Sequence, residues 1–68
     1  ASFVVTNYGG RIHISARSMD EINVQIIMEK LGGGGHMNSA ATQVDTSLAL
    51  AKNMLKQAID EYIEEEKE

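Results

Sequence analysis

The sequence predicts an α/β fold, a small mixed sheet in the order ββαβα with its helices packed on one face. Three observations lead there. Arg11–Arg17 alternates with a period of two, Ile12, Ile14 and Ala16 against His13, Ser15 and Arg17, as a half-buried strand does. Val24, Ile27, Met28 and Leu31 then recur at i, i+3, i+4 and i+7, one apolar stripe of a helix. A second stripe follows near the end, built from Leu48, Ala51, Leu55, Ala58, Ile59, Tyr62 and Ile63.

Each element has a local reason. Ser2-Phe3-Val4-Val5-Thr6 is rich in β-branched and aromatic residues and reads as the first strand. Asn7-Tyr8-Gly9-Gly10 supplies residues that tolerate positive φ, so the two strands should form a hairpin. Asp20 or Ser18 is the expected cap of a helix over roughly residues 20–31, and Gly32 suits the left-handed position that ends it. Thr42-Gln43-Val44 reads as a third strand, and Asp45, Thr46 or Ser47 as the cap of the last helix. Lys56 and Asp60 stand one turn apart and are expected to pair weakly. The closing Glu64-Glu65-Glu66-Lys67-Glu68 puts acid at the negative end of the helix dipole and is expected to fray.

Composition narrows the function classes. Sixty-eight residues make one small domain with a marginal core. Without cysteine there is no disulfide and no thiolate metal site. No apolar run approaches the roughly 20 residues that span a bilayer, and Ala1–Asn7 has no signal-peptide pattern. Ten acidic residues against six basic ones give a net charge of −4, the wrong sign for a general binder of nucleic acid or anionic membrane. So short a chain beginning at Ala1 is expected to be a piece of a larger protein cut at a domain boundary.

Chemistry concentrates around the tetraglycine Gly32–Gly35. One glycine suffices to end the helix, and the others cost folding entropy. Either a ligand approaches bare backbone there, with N–H groups gripping an anion, or the run is a flexible connection. The P-loop and the dinucleotide fingerprint are both excluded by spacing. Counted from Gly32, Met37 stands where either motif needs glycine, and counted from Gly33 the fingerprint's last glycine falls on Asn38. His36 abuts the run and can donate to a phosphate oxygen. Arg17 offers a planar fork suited to phosphate. A strand–helix–loop unit brings the loop back across the sheet, so these three anion-seeking elements can share one crevice. His13 reads as a structural or exposed strand residue, and Met19, Met28, Met37 and Met54 as packing residues. Two histidines with scattered acids form no recognisable metal cluster, and no serine has a convincing His–acid partner set. The predicted catalytic and metal-binding sets on this chain are therefore both empty.

Ile14-Ser15-Ala16-Arg17-Ser18, Ile22-Asn23-Val24, and Gly32–His36 followed by Ala40-Ala41 resemble the DHH-associated C-terminal domain of DHH-family phosphoesterases, over about residues 2–63. The signature is a glycine run ending in His, with an Ala-Ala pair soon after. Most of the superfamily has Gly next; Thr42 departs from it and favours the GdpP-type (YybT-type) cyclic-di-AMP phosphodiesterases over RecJ-like nucleases and oligoribonuclease-type relatives. The resemblance implies that residues 1–68 form the substrate-binding C-terminal domain, completing a cleft with an upstream DHH domain that holds two manganese ions. Arg17, Ser18, Gly33, Gly34, Gly35 and His36 would then contact the nucleotide, with Asn23 in support. The parent enzyme is expected to be membrane-anchored with this domain on the cytoplasmic side, and this fragment to be soluble, free of cofactor, without membrane contact and inactive alone. Two alternatives stand beside this. One is the same domain acting on short oligonucleotides or a phosphoadenosine nucleotide. The other is a non-catalytic nucleotide-binding module that forms a homodimer through the last helix.

Overall fold

A computed structural model describes residues 1–19 and 21–67. The chain runs β1 (Ser2–Tyr8), β2 (Arg11–Arg17), α1 (Val24–Lys30), β3 (Gly34–His36), β4 (Ser39–Val44) and α2 (Leu48–Glu66). The four strands form one sheet in the order β1-β2-β4-β3, and all three pairings are antiparallel. The α/β architecture with helices against a small sheet thus holds, with one strand more than the sequence predicts and with a wholly antiparallel sheet in place of the mixed one expected. β3 is that strand. A glycine-rich segment carries no side-chain period from which a strand could be read.

β1 and β2 pair from Ser2↔Arg17 to Tyr8↔Arg11. The two-residue turn between them puts Gly9 at φ +62 and Gly10 at φ +79, the doubly positive geometry of a type I′ turn. The alternation of β2 fixes which face is buried. Ile12, Ile14 and Ala16 are at most 1% exposed and face the helices, joined from β4 by Ala40 and Thr42. Val24, Ile27 and Met28 of α1 close over them, and Ala51, Leu55, Ala58 and Tyr62 of α2 complete the core. Leu31 lies only half-buried at the end of α1, and Leu48 and Ile63, assigned to the apolar face of α2, are exposed. The opposite face of the sheet has no helix of the described residues over it; it is mostly polar, with Val4 and Tyr8 of β1 exposed on it.

α1 is shorter than the predicted span. Its N-cap is Asn23, whose Oδ1 accepts from the N–H groups of Gln25 (3.1 Å) and Ile26 (3.3 Å). Ser18 is not the cap, and Asp20 lies outside the described residues. The C-terminus is a Schellman motif: Gly32 at φ +84 donates to the Glu29 carbonyl, and Gly33 donates to that of Met28. α2 starts at Ser47, whose Oγ accepts from the Leu50 N–H. Its helical conformation runs through the acidic Glu64 and Glu65 to Glu66. Lys30, at the end of α1, reaches Glu65 at 2.8 Å and Glu61 at 3.8 Å, tying that turn down. The hydrogen bond to Glu65 raises the Lys30 pKa against a smaller opposing effect of desolvation. Among the described residues Lys56 and Asp60 form no ion pair.

Candidate functional site

The residues singled out in the sequence gather around the tip of the β3–β4 hairpin, the two-residue turn Met37-Asn38. The Asn38 carbonyl accepts from the Ser18 N–H (2.9 Å), and the Met37 carbonyl accepts from the Val24 N–H (3.1 Å). These bonds pin the tip to the segment between β2 and α1. They bring Arg17, Ser18 and Asn23 to one end of the sheet together with His36.

Strand register then sets which side chains share a face. Arg17 pairs with Ser39 across β2 and β4, and His36 pairs with Ser39 from the other side. Directly opposed residues point the same way, so Arg17, Ser39 and His36 form one rung on the uncovered face. Two strand spacings separate Arg17 from His36, about 10 Å between backbones, which a long guanidinium side chain can largely cross. Arg17 and His36 are exposed, and neither side chain has an ion-pair or hydrogen-bond partner among the described residues. A recess of about 580 Å³ opens beside this rung, lined by Ser2, Arg17, Ser18, Met19, Asn38 and Ser39 among others. Ser18 is itself only 4% exposed. Asn23 commits its side-chain oxygen to capping α1, and its N–H donates to the Tyr62 hydroxyl at 2.9 Å.

The four glycines have different duties. Gly32 supplies the left-handed turn after α1. A Cβ on Gly33 would collide with the Ala41 carbonyl and the Thr42 side chain. One on Gly35, at φ +145, would lie 2.6 Å from Ala40 Cα and the Ser39 carbonyl oxygen. Only Gly34 within the run combines an ordinary φ with open space at its missing Cβ. It pairs with Ala41, itself opposite Ser15, in the next rung of the uncovered face. The run is thus not a flexible connection, and the N–H groups of Gly32 and Gly33 are spent inside the fold.

Thr42 explains its own presence. Its hydroxyl is buried and donates to the Leu31 carbonyl at 3.0 Å, an acceptor left over where α1 ends. The same side chain fills the space that Gly33 vacates. Thr42→Val, equal in shape but unable to donate, should destabilise the domain by about 1–2 kcal/mol, as expected for an orphaned acceptor. Thr42→Ser should recover most of it. Thermal denaturation of both variants checks this, and equal melting of Thr42→Val and the parent would remove the assigned duty.

Charge is divided between the two sides of the molecule. Among the described residues no acidic residue lies in a strand, whereas Arg11, Arg17, His13 and His36 all do. Arg11 is neutralised by Asp45 at 3.2 Å. The uncovered face therefore offers its unpaired positive charge at the Arg17 end, despite the net negative charge of the chain. This surface suits an anion of phosphate type.

A family model described as the DHHA1 domain matches residues 1–65. The chain belongs to the DHHA1 domain family. Among relatives of this DHHA1 domain, the cyclic-di-AMP phosphodiesterase PdeA of Listeria monocytogenes is 58% identical over 64 residues, 91% of this chain and 10% of PdeA. The cyclic-di-AMP phosphodiesterase GdpP of Bacillus subtilis is 54% identical, and that of Geobacillus thermodenitrificans 50%, each over 66 residues, 94% of this chain and 10% of the relative. The chain spans about a tenth of the length of these relatives. Among the described residues no group of three or more His, Cys, Asp or Glu could hold a metal ion, and no helix is long and apolar enough to cross a membrane.

Ser39 was not visible as a site residue in the sequence. It becomes one only through the register of β3, and the Met37-Asn38 turn that creates this register has no glycine and no positive φ to announce it.

Proposed function

We propose that this DHHA1 domain is the substrate-binding part of a manganese-dependent phosphodiesterase that hydrolyses cyclic di-AMP to the linear dinucleotide. The observation that carries the reading is the 50–58% identity, over more than nine-tenths of the chain, to three proteins named as cyclic-di-AMP phosphodiesterases. The rung of Arg17, Ser39 and His36 supports it chemically.

In this reading Arg17 binds a phosphodiester through two parallel N–H groups, and His36 donates from the other side of Ser39. Gly34 keeps the neighbouring rung low enough for the nucleotide to lie against the sheet. Ser18, Gly33 and Gly35 shape the hairpin end that presents these groups, and Asn23 supports it by fixing the start of α1. Their contribution is to orient the diester and offset its charge. The residues of this chain do not fit manganese, which belongs to a DHH catalytic domain of the same polypeptide. That polypeptide sits at the cytoplasmic side of the cell membrane, and residues 1–68 alone are inactive.

The test is an assay of the full-length protein with manganese on cyclic di-AMP and on a linear dinucleotide. Faster turnover of the cyclic substrate is expected. Strong preference for the linear one would move the domain to the oligoribonuclease-type branch, and no hydrolysis of either would leave a non-catalytic nucleotide-binding module.

A further inference from the structure

The uncovered sheet face continues beyond the phosphate rung. Two residues along the strands, about 7 Å away, lies the rung of Gly34, Ala41 and Ser15, all of them small, bounded on the β1 side by the exposed Val4. Two residues further, about 13 Å from Arg17, His13 pairs with Gln43. Small residues between two taller rungs make a trough, and a recess of about 170 Å³ lies there, lined by His13, Ser15, Ala41 and Gln43 among others. The trough has a charged end, a flat floor and a polar far wall. This is the layout of a nucleotide, from phosphate through sugar to base edge.

The far wall is oriented by its neighbours. Asp45 accepts from Arg11 Nε at 3.2 Å, and Arg11 Nη1 donates to Gln43 Oε1 at 3.4 Å. This chain assigns the Gln43 oxygen to the Arg11 side and leaves the Nε2 hydrogens and the second oxygen lone pair for a ligand. An amide with one donor and one acceptor available matches the exocyclic amine and ring nitrogen of adenine, whereas guanine presents two acceptors along the equivalent edge. The His13 ring, held edge-on by Tyr8 with centroids 6.0 Å apart, closes the wall beside Gln43.

We propose that this trough is a nucleobase subsite in which Gln43 pairs with the edge of an adenine whose phosphate rests on Arg17 and His36. The assignment rests on the phosphate-binding reading of the Arg17 rung and adds a residue that selects the base.

The experiment is an amide NMR titration of the 68-residue chain with adenosine monophosphate, guanosine monophosphate and inorganic phosphate. All three should shift the amides of Arg17, His36 and Ser39. Only the adenine nucleotide should shift the Gln43 side-chain amide, and it should bind about 10-fold more tightly than the guanine nucleotide. Gln43→Leu should abolish this preference while leaving the phosphate shifts in place. Gln43→Glu, similar in shape but without donors, should do the same. An adenine preference that survives both substitutions overturns the subsite and leaves the phosphate reading standing. Shifts at Gln43 with none at Arg17 or His36 overturn the phosphate reading instead. No shift with any probe at millimolar concentration overturns both.

Discussion

Gly35→Ala should cost the domain about 2–6 kcal/mol. Two effects add. The residue sits at φ +145, where a side chain imposes backbone strain of about 1–3 kcal/mol. Its new Cβ would also lie 2.6 Å from Ala40 Cα and the Ser39 carbonyl oxygen. Both obstacles are backbone, so neither can rotate away, and overpacking of this kind adds about 1–3 kcal/mol. A chain of 68 residues is expected to have only about 3–10 kcal/mol of total stability. The change should therefore lower the melting temperature by roughly 8–48 °C. Gly34→Ala is the control one residue away. It meets open space at an ordinary φ and should melt within a few degrees of the parent, because its altered unfolded-state entropy is worth under about 1 kcal/mol. Thermal unfolding of the two variants side by side decides the matter. Equal losses would show that the run is a uniform loop, contrary to the separate duties assigned to its glycines.

That contrast marks what the sequence could and could not carry. Side-chain periodicity reports burial, so it located Ile12, Ile14 and Ala16 on the core face and Val24, Ile27 and Met28 on the helix stripe. It is silent where side chains are missing, and β3 went unread for that reason. Hydrogen bonds between residues distant in sequence were equally hidden. Asn23 caps α1 and is itself gripped by Tyr62, 39 positions away, so the cap falls three residues after the nearest residue expected to supply it, Asp20. Of the site, Arg17 and His36 could be named from their chemistry and the family resemblance. Their placement about one Ser39 required the register of a strand that no pattern announced. Thr42 is legible in the sequence as a strand residue and as a departure from the superfamily's glycine, and its bond to Leu31 supplies the physical reason for the departure.

If the proposed function holds, Arg17→Ala in the full-length protein should lower kcat/KM for cyclic di-AMP by about 2–3 kcal/mol, or roughly 30- to 150-fold. The size depends on what covers the site. Two unit charges 4 Å apart attract by about 1 kcal/mol in bulk water and about 4 kcal/mol at an effective dielectric of 20. In the 68-residue chain Arg17 is exposed to solvent, so the same substitution should weaken phosphate binding only a few-fold. In the full-length protein a second domain would exclude water from the cleft, and the loss should grow by about an order of magnitude. Stability should change in neither setting by more than about 0.5 kcal/mol, because Arg17 is exposed and has no ion-pair partner among the described residues. Arg17→Lys keeps the charge but not the planar fork and should fall between the two. On the proposed function manganese affinity should remain at the parent value in every variant, which separates loss of substrate contact from loss of a metal centre in another domain. If Arg17→Ala turns over cyclic di-AMP at the parent rate, the guanidinium does not touch the diester, and the rung it shares with Ser39 and His36 is ordinary solvated surface.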